Sequence, residues 1–513
     1  MTSTATPTSS ERLPWIIRAM GVIERVGNAL PHPFWLFWIL AAILAVISAI
    51  CAAAGVSVIS PGDGEEVVVQ NLLSGEGLAM AVSTMVSNFA EFPPMATIVV
   101  VIMGVAVAER TGFLTSTMKV GISRVPAGWV VFAVAFTGTV AHVASAAAYI
   151  ILVPLAGLAF RAVGRSPILG IVVAYTAIAS GYDASPIPTP NDAIFAGITT
   201  AAAQIIDENA YVSPVSNWFF NIASSVLLAA VITLMTKLVL SKRPDLDADE
   251  DADDGDFGTL ELDGRERRAL RWAVVTLLAS IVVVAAIVIP PSSPLRGEDG
   301  SLTESPFLTG IAAIVAILFG LAGIVYGTLS GSITKAGDVP ALMAQGIKQM
   351  APVLVLFFAI AQFLAYFEWS NLGDVIAVNS AEALQTSNIP VWVVFLLVLG
   401  LLSVVNVMVT SGSAMWSIAA PVLVPMLMLL SVPPETTQAL FRIADSGSTA
   451  ITPMSPYFVM ALGFLQRYRK DAGIGTLASY TLPLAIAMSL AWTALFFLWW
   501  GLGIPLGPGA PVR

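Results

Sequence analysis

Residues 34–55 read FWLFWILAAILAVISAICAAAG, twenty-two positions without a charge. About 20 such residues span the roughly 30 Å hydrocarbon layer of a bilayer as a helix, and comparable runs recur along the whole chain. Backbone N–H and C=O groups in lipid must be satisfied within a helix or within a closed barrel. The runs lack the strict alternation of barrel strands, so the expected class is an all-α integral membrane protein. Composition agrees. Charged residues make up 11% of the chain, against about 25% in a soluble domain.

Nine crossings are expected, at about 33–55, 93–109, 168–200, 216–240, 268–290, 306–329, 350–368, 436–464 and 476–502. Two further apolar stretches, 127–163 and 391–430, are too long for one helix and are interrupted at their middles by small polar residues. Each reads as a re-entrant helical hairpin that enters and leaves on one side. Charge supports this reading, because cytoplasmic loops collect Lys and Arg. With the N-terminus cytoplasmic, twenty of the 23 basic residues fall inside, Arg296 and Arg513 fall outside, and Arg442 lies in the membrane. The C-terminus is then external. Residues 1–32 carry no apolar leader, so a cytoplasmic N-terminal segment is expected there. The lone cysteine, Cys51, excludes an intrachain disulfide.

The net charge of −10 is largely local: DLDADEDADDGD, 245–256, holds eight of the 33 acidic residues. Its D-x-D-x-D spacing lacks the terminal Glu of a calcium loop, so 241–267 reads as a solvated, disordered cytoplasmic linker. No metal site is assigned there, and no basic stripe suggests nucleic acid.

An internal repeat overlies the spans. Ser145 precedes Ser180-Gly181 by 35 residues, and Ser411 precedes Ser446-Gly447 by the same interval, 266 residues later. Each unit runs span, hairpin, then a span broken by Gly, Ser and Pro: GYDASPIPTPND in the first, DSGSTAITPMSP in the second. The units begin at crossings of opposite parity, which makes this an inverted-topology repeat with broken helices at the repeat centres. Such repeats mark secondary transporters. The expected organisation is a scaffold of 33–109 and 268–368, with a transport unit in two halves, 127–240 and 391–502.

Proline removes a backbone donor and restricts its predecessor, so the two breaks must unwind. Half-helix N-termini can receive a carboxylate, and freed carbonyls and hydroxyls can ligate a small cation. Arg442 and Asp445 share one helical face at i, i+3 spacing and can pair with each other, as a structural ion pair or as groups facing a cavity. Asp192, at the other break, has no obvious charged neighbour and suits proton exchange or cation ligation. Asp183 is a second carboxylate near that break. Ser145, Ser411, Gly412 and Ser446 are further candidates for ion coupling. Trp416 could stack an aromatic ligand or simply pack, and His142 could titrate or be structural.

At this point four segments resemble the p-aminobenzoyl-glutamate transporter (AbgT) family: IERVGNALPHPFWLF (23–37), NDAIFAGITTAAAQIID (191–207), SAMWSIAAPVLVPMLML (413–429) and QALFRIADSGSTAITPMSPYF (438–458). The resemblance covers about residues 20–505. It implies a homodimer in the bacterial inner membrane, each protomer with nine crossings and two re-entrant hairpins. It also implies uptake of p-aminobenzoyl-glutamate or export of sulfonamide antimetabolites, an antibiotic-resistance activity, driven by an ion gradient. The substrate-path positions it implies are Asp192, Ser413, Trp416, Pro434, Arg442, Asp445 and Pro453. Asp183, the prolines before Asp192 and the acidic linker depart from the family pattern. No catalysis and no cofactor are expected; the coupling ion is H⁺ or Na⁺, and the partners are a small aromatic conjugate or sulfonamide and membrane lipid. A sodium-coupled dicarboxylate carrier is the alternative, with a channel and an intramembrane aspartyl protease more remote. The protease would need a G-x-G-D motif that the chain lacks.

Overall fold

Seven helices among the described residues are long and apolar enough to cross a bilayer: Pro33–Ala53, Pro93–Arg110, Trp218–Lys242, Gly264–Val288, Ile311–Ser330, Asp338–Trp369 and Ile474–Leu502. The computed structural model describes residues 31–513 apart from 60–65, 124, 145–146, 250–259, 298–299, 303–304 and 388. Most of the expected N-terminal segment, Ser145 and much of the acidic linker therefore lie outside the described residues.

The two remaining expected crossings are divided. Residues 168–200 form Pro167–Ala179 and Pro190–Ala203, and residues 436–464 form Pro434–Thr449 and Pro456–Gln466. Proline opens the second half of each, where its missing N–H costs no helical bond. The two long apolar stretches divide as well. Residues 127–163 hold Val130–Val140, a 3₁₀ turn at Ala141–Ala144, and Ala147–Ala162; residues 391–430 hold Val391–Asn406 and Gly412–Met428. At 1.5 Å per residue these helices reach about 17–26 Å, short of the hydrocarbon thickness.

Hydropathy alone does not reveal several short elements. The loop at 56–92 contains an antiparallel pair, Ser57–Ile59 with Glu66–Val68, and helices Gly75–Ser83 and Met85–Ala90. Helices Phe113–Ser123 and Leu372–Thr386 also lie between expected spans.

Packing crosses between the two broken helices. Pro190–Ala203 packs on Gly412–Met428 and Pro434–Thr449, while Pro456–Gln466 packs on Ala147–Ala162 and Pro167–Ala179. The second half of each broken helix thus docks on the hairpin and first half-helix of the other unit. Pro93–Arg110 packs on Pro190–Ala203 as well, and gathers Ile311–Ser330 and Asp338–Trp369 around close backbone approaches. A Cβ at Gly104 would meet the Ala316 backbone, and one at Gly323 would lie 2.6 Å from Ala108 N. Small residues allow such approaches where lipid gives no hydrophobic drive between helices.

Grouped by the sides expected from charge, connecting segments contact others of the same group. In one, Arg110 Nη2 donates to Gln349 Oε1 at 2.8 Å, Arg265 Nε to Leu329 O at 3.0 Å, and Ser166 Oγ to Leu246 O at 2.6 Å. In the other, Asn371 Nδ2 donates to Val68 O at 2.9 Å and Thr436 Oγ1 to Val512 O at 2.8 Å.

The acidic linker is not simply solvated. Asp245 is held by Arg243 at 2.9 Å and Arg469 at 3.3 Å, and Asp249 Oδ2 accepts from Lys470 N at 2.9 Å. The sequence shows the acid run but not the basic turn 224 residues away that receives its first residues. Hydrogen bonds from Arg243 hold the Asp245 carboxyl well below the usual carboxylate range. A carboxyl lowered in the folded state contributes stability above about pH 4 and loses it only as pH falls through the lowered value. Hydrogen-exchange protection of 244–249, taken relative to the intrinsic rate at each pH, should therefore be equal at pH 7 and pH 5. Asp245→Ala should lose that protection several-fold at both; unchanged exchange in the variant would contradict the docking.

Candidate functional site

The two breaks face each other, and their polar residues meet. The first half-helix ends at Ala179, and Thr189 caps the next with a capping box. Asp192 Oδ2 accepts from Thr189 N at 2.6 Å and from Thr189 Oγ1 at 2.7 Å. This places the carboxylate in the first turn, where the helix end favours negative charge. Its other oxygen, Oδ1, lies 2.7 Å from Arg442 Nη1.

That ion pair corrects two expectations. Asp192 does have a charged neighbour, and Arg442 pairs with Asp192 rather than with Asp445. The capping box fixes Asp192 in place, so pairing there immobilises little additional side chain. Arg442 is 1% exposed and makes further hydrogen bonds. Nε donates to Asn217 Oδ1 at 3.0 Å, and Nη1 lies 3.5 Å from Asp183 O. Asn217 Nδ2 in turn donates to Glu435 O at 3.0 Å.

Asp445 points elsewhere. A Cβ at Gly412 would lie 2.6 Å from Asp445 Oδ2, so the first residue of the second hairpin's return helix presses against this carboxyl. Ser411 caps that helix by accepting from Ala414 N at 3.4 Å, and its Oγ lies 3.4 Å from Ser413 Oγ. Asp183 joins from the first break. Its N–H donates to Ser446 Oγ at 3.0 Å, Ser446 Oγ donates back to Asp183 Oδ2 at 3.3 Å, and its carboxyl is within hydrogen-bonding reach of Asp445.

The structure therefore brings together Asp183, Asp192, Gly412, Arg442, Asp445 and Ser446, with Ser411 and Ser413 at the adjoining hairpin tip. Pro453 lies in the second break, where Thr452 Oγ1 donates to Val407 O at 2.8 Å. Pro434 is the first residue of its helix, about 12 Å along the axis from Arg442.

Trp416 offers no ring face to a ligand in this conformation. It is fully buried, stacks on Phe441 at 4.5 Å, and donates Nε1–H to Thr199 Oγ1 at 2.9 Å. The aromatic surface beside the carboxylates belongs to tyrosines. Tyr149 stacks on Tyr457 at 4.2 Å, joining the first hairpin to the second break, and His142 lies edge-on to Tyr182 at 4.6 Å.

Sequence reading missed Asn217, Gln438, Thr199 and this tyrosine group. Gln438 was legible in part, four residues before Arg442 on the same helical face. It sits between Thr199 Oγ1 at 2.7 Å and Asn217 Oδ1 at 2.9 Å. Asn217 and Thr199 carry no local signal, because only the fold turns them toward Arg442.

Comparisons with known proteins place this geometry. Residues 18–513 match the AbgT transporter family. The chain is 38% identical over 490 residues to the p-aminobenzoyl-glutamate transport protein of Escherichia coli (strain K12), covering 95% of this chain and 96% of that one. The YdaH transporter of Alcanivorax borkumensis superposes with a TM-score of 0.88 at 38% identity, over 93% of this chain and 100% of that one. MtrF of Neisseria gonorrhoeae, described within a class of antimetabolite efflux pumps, gives 0.91 at 36% identity, over 96% and 100%. With its broken helices meeting around Arg442 and its sequence matched from end to end of the membrane region, this chain belongs to the AbgT transporter family.

Proposed function

We propose that this chain is a secondary active transporter that moves p-aminobenzoyl-glutamate or exports sulfonamide-like antimetabolites, driven by a proton or sodium gradient through alternating access. The observation that carries the reading is Arg442, buried between the two breaks and paired with a carboxylate from the other repeat. A substrate carboxylate takes the place of Asp192 on Arg442, so the guanidinium keeps an anionic partner throughout. An unpaired buried charge would otherwise be strongly destabilising. The bidentate donor geometry of arginine suits this exchange. The half-exposed Tyr182 and Tyr457 offer the aromatic contact that Trp416 does not.

Nine crossings and two re-entrant hairpins are part of the same proposal. The contacts within each group of connecting segments agree with the inside and outside sets drawn from charge, and support a cytoplasmic N-terminus and an external C-terminus. The start of helix Pro167–Ala179 joins the inside set through Ser166, as expected if 127–163 enters and leaves there. The crossed packing of the broken helices supports two transport halves working against the Pro93–Arg110 and Ile311–Ser330 scaffold. The protein acts as a homodimer in the bacterial cytoplasmic membrane.

The test is flux of labelled p-aminobenzoyl-glutamate into sealed proteoliposomes under an imposed pH gradient, in sodium-free buffer and then with a sodium gradient. Saturable flux that requires one gradient and is lost in Asp445→Asn is the expected result. Absence of flux under both gradients, in either vesicle orientation, would remove this substrate.

A further inference from the structure

We propose that Asp183 and Asp445 form a carboxyl pair that shares one proton, and that this pair is the element through which proton movement drives the transporter. The inference rests on the transport reading above and names its coupling site.

Three acidic residues and one arginine are buried together at the junction of the breaks. Asp183, Asp192, Asp445 and Arg442 are 3%, 3%, 5% and 1% exposed. Asp192 takes the ion pair and has both its oxygens occupied. The other two carboxyls are left facing each other, within hydrogen-bonding reach. Among the described residues no donor reaches Asp183 Oδ1. Two bare carboxylates in contact repel, and a single proton between them turns the contact into an O–H···O bond.

A second observation points to the same seat. The Tyr149 hydroxyl is buried at 1% exposure and has no hydrogen-bond partner among the described residues, and its ring stacks on Tyr457 of the second break. The charged and titratable groups near the pair are Arg442 from the helix of Asp445, Asp192 from Pro190–Ala203, and Tyr182 from the first break, with Ser446 bonded to Asp183. Arg442 is the one cation among these, and Asp192 already neutralises it.

The pair bridges the parts that must move. Asp183 stands on the first break, Asp445 follows Arg442 into the second, and Gly412 of the second hairpin presses on Asp445. With the proton present, the two breaks are held together and the hairpin is seated. An O–H bond forms at one of the four oxygens as a proton arrives from water on one side, and it breaks as that proton leaves to water on the other. Once the proton is gone, repulsion between the carboxylates favours separation of the breaks.

Infrared difference spectroscopy of the reconstituted protein tests the pair without any substrate. Wild type should show the C=O stretch of a protonated buried carboxyl at neutral pH. Asp183→Asn should shift or lose it, because the proton then no longer bridges two carboxyl groups, and Asp183→Glu should restore it. A band unchanged in Asp183→Asn overturns the proposal. So does a wild type with no such band whose stability depends on sodium, since the seat would then hold a cation. In proteoliposomes, the ratio of gradient-driven accumulation to counterflow exchange of p-aminobenzoyl-glutamate should fall on the order of ten-fold in Asp183→Asn and recover in Asp183→Glu. An unchanged ratio overturns the proposal. Wild type without counterflow of this substrate would instead count against the functional reading, and the spectrum would still decide the pair.

Discussion

Arg442→Ala is expected to abolish transport of a dicarboxylate and to destabilise the protein by about 3–5 kcal/mol, the usual cost of removing one partner of a buried ion pair. The loss has two separable parts. The first is the stranding of Asp192, whose Oδ1 loses its partner at 2.7 Å. The second is the loss of the group that would receive the substrate carboxylate. Combining Arg442→Ala with Asp192→Asn should recover much of the stability, measured by thermal unfolding in detergent, without recovering transport. A double variant as unstable as the single one would show that Asp192 is not the stranded charge. Sulfonamide export should suffer less than p-aminobenzoyl-glutamate transport in the single variant, because the sulfonamide carries less negative charge. Equal losses for the two cargoes would assign Arg442 a structural role alone.

Gly412→Val should be the second large effect, and it should act through Asp445. The added Cβ would fall 2.6 Å from Asp445 Oδ2, so either the carboxyl or the hairpin tip must shift. Overpacking of this kind costs about 1–3 kcal/mol. Gradient-driven flux should fall steeply, because the tip can no longer seat. The stability cost should largely vanish in an Asp445→Ala background, where the space is free. A cost of the same size in that background would mean that the valine acts on the helix cap at Ser411 instead.

The broken helices and the residues of the charged cluster were legible because their causes are local. Pro186, Pro188 and Pro190 crowd one break and Pro453 and Pro456 the other, each among Gly, Ser or Thr, whereas prolines such as Pro154 and Pro483 in apolar runs stay within helices. Arg442 and Asp445 stood out as charges in an apolar segment, which are costly unless they have partners. The partners themselves were less accessible. An i, i+3 spacing permits an Arg442–Asp445 pair, yet Asp192, 250 positions earlier, takes the guanidinium because its capping box already holds it in place. Trp416 shows the same limit. Its position beside a hairpin tip suggested an open ring face, and Phe441 from another helix covers it.

The sequence by itself determined that this chain lies in a membrane and that two of its expected spans are broken near Pro190 and Pro456, and its charge pattern led to the expectation of two halves with opposite orientation. Those features follow from hydropathy, from proline and from the distribution of Lys and Arg, all read along the chain. Only the tertiary structure decided that Arg442 belongs to Asp192, that Asp183 faces Asp445, that Gly412 sits against that carboxyl, and that Asp245 docks on Arg469. Each of these is a contact between segments far apart in sequence. Its energy depends on distance and burial in space, and no spacing along the chain fixes either one.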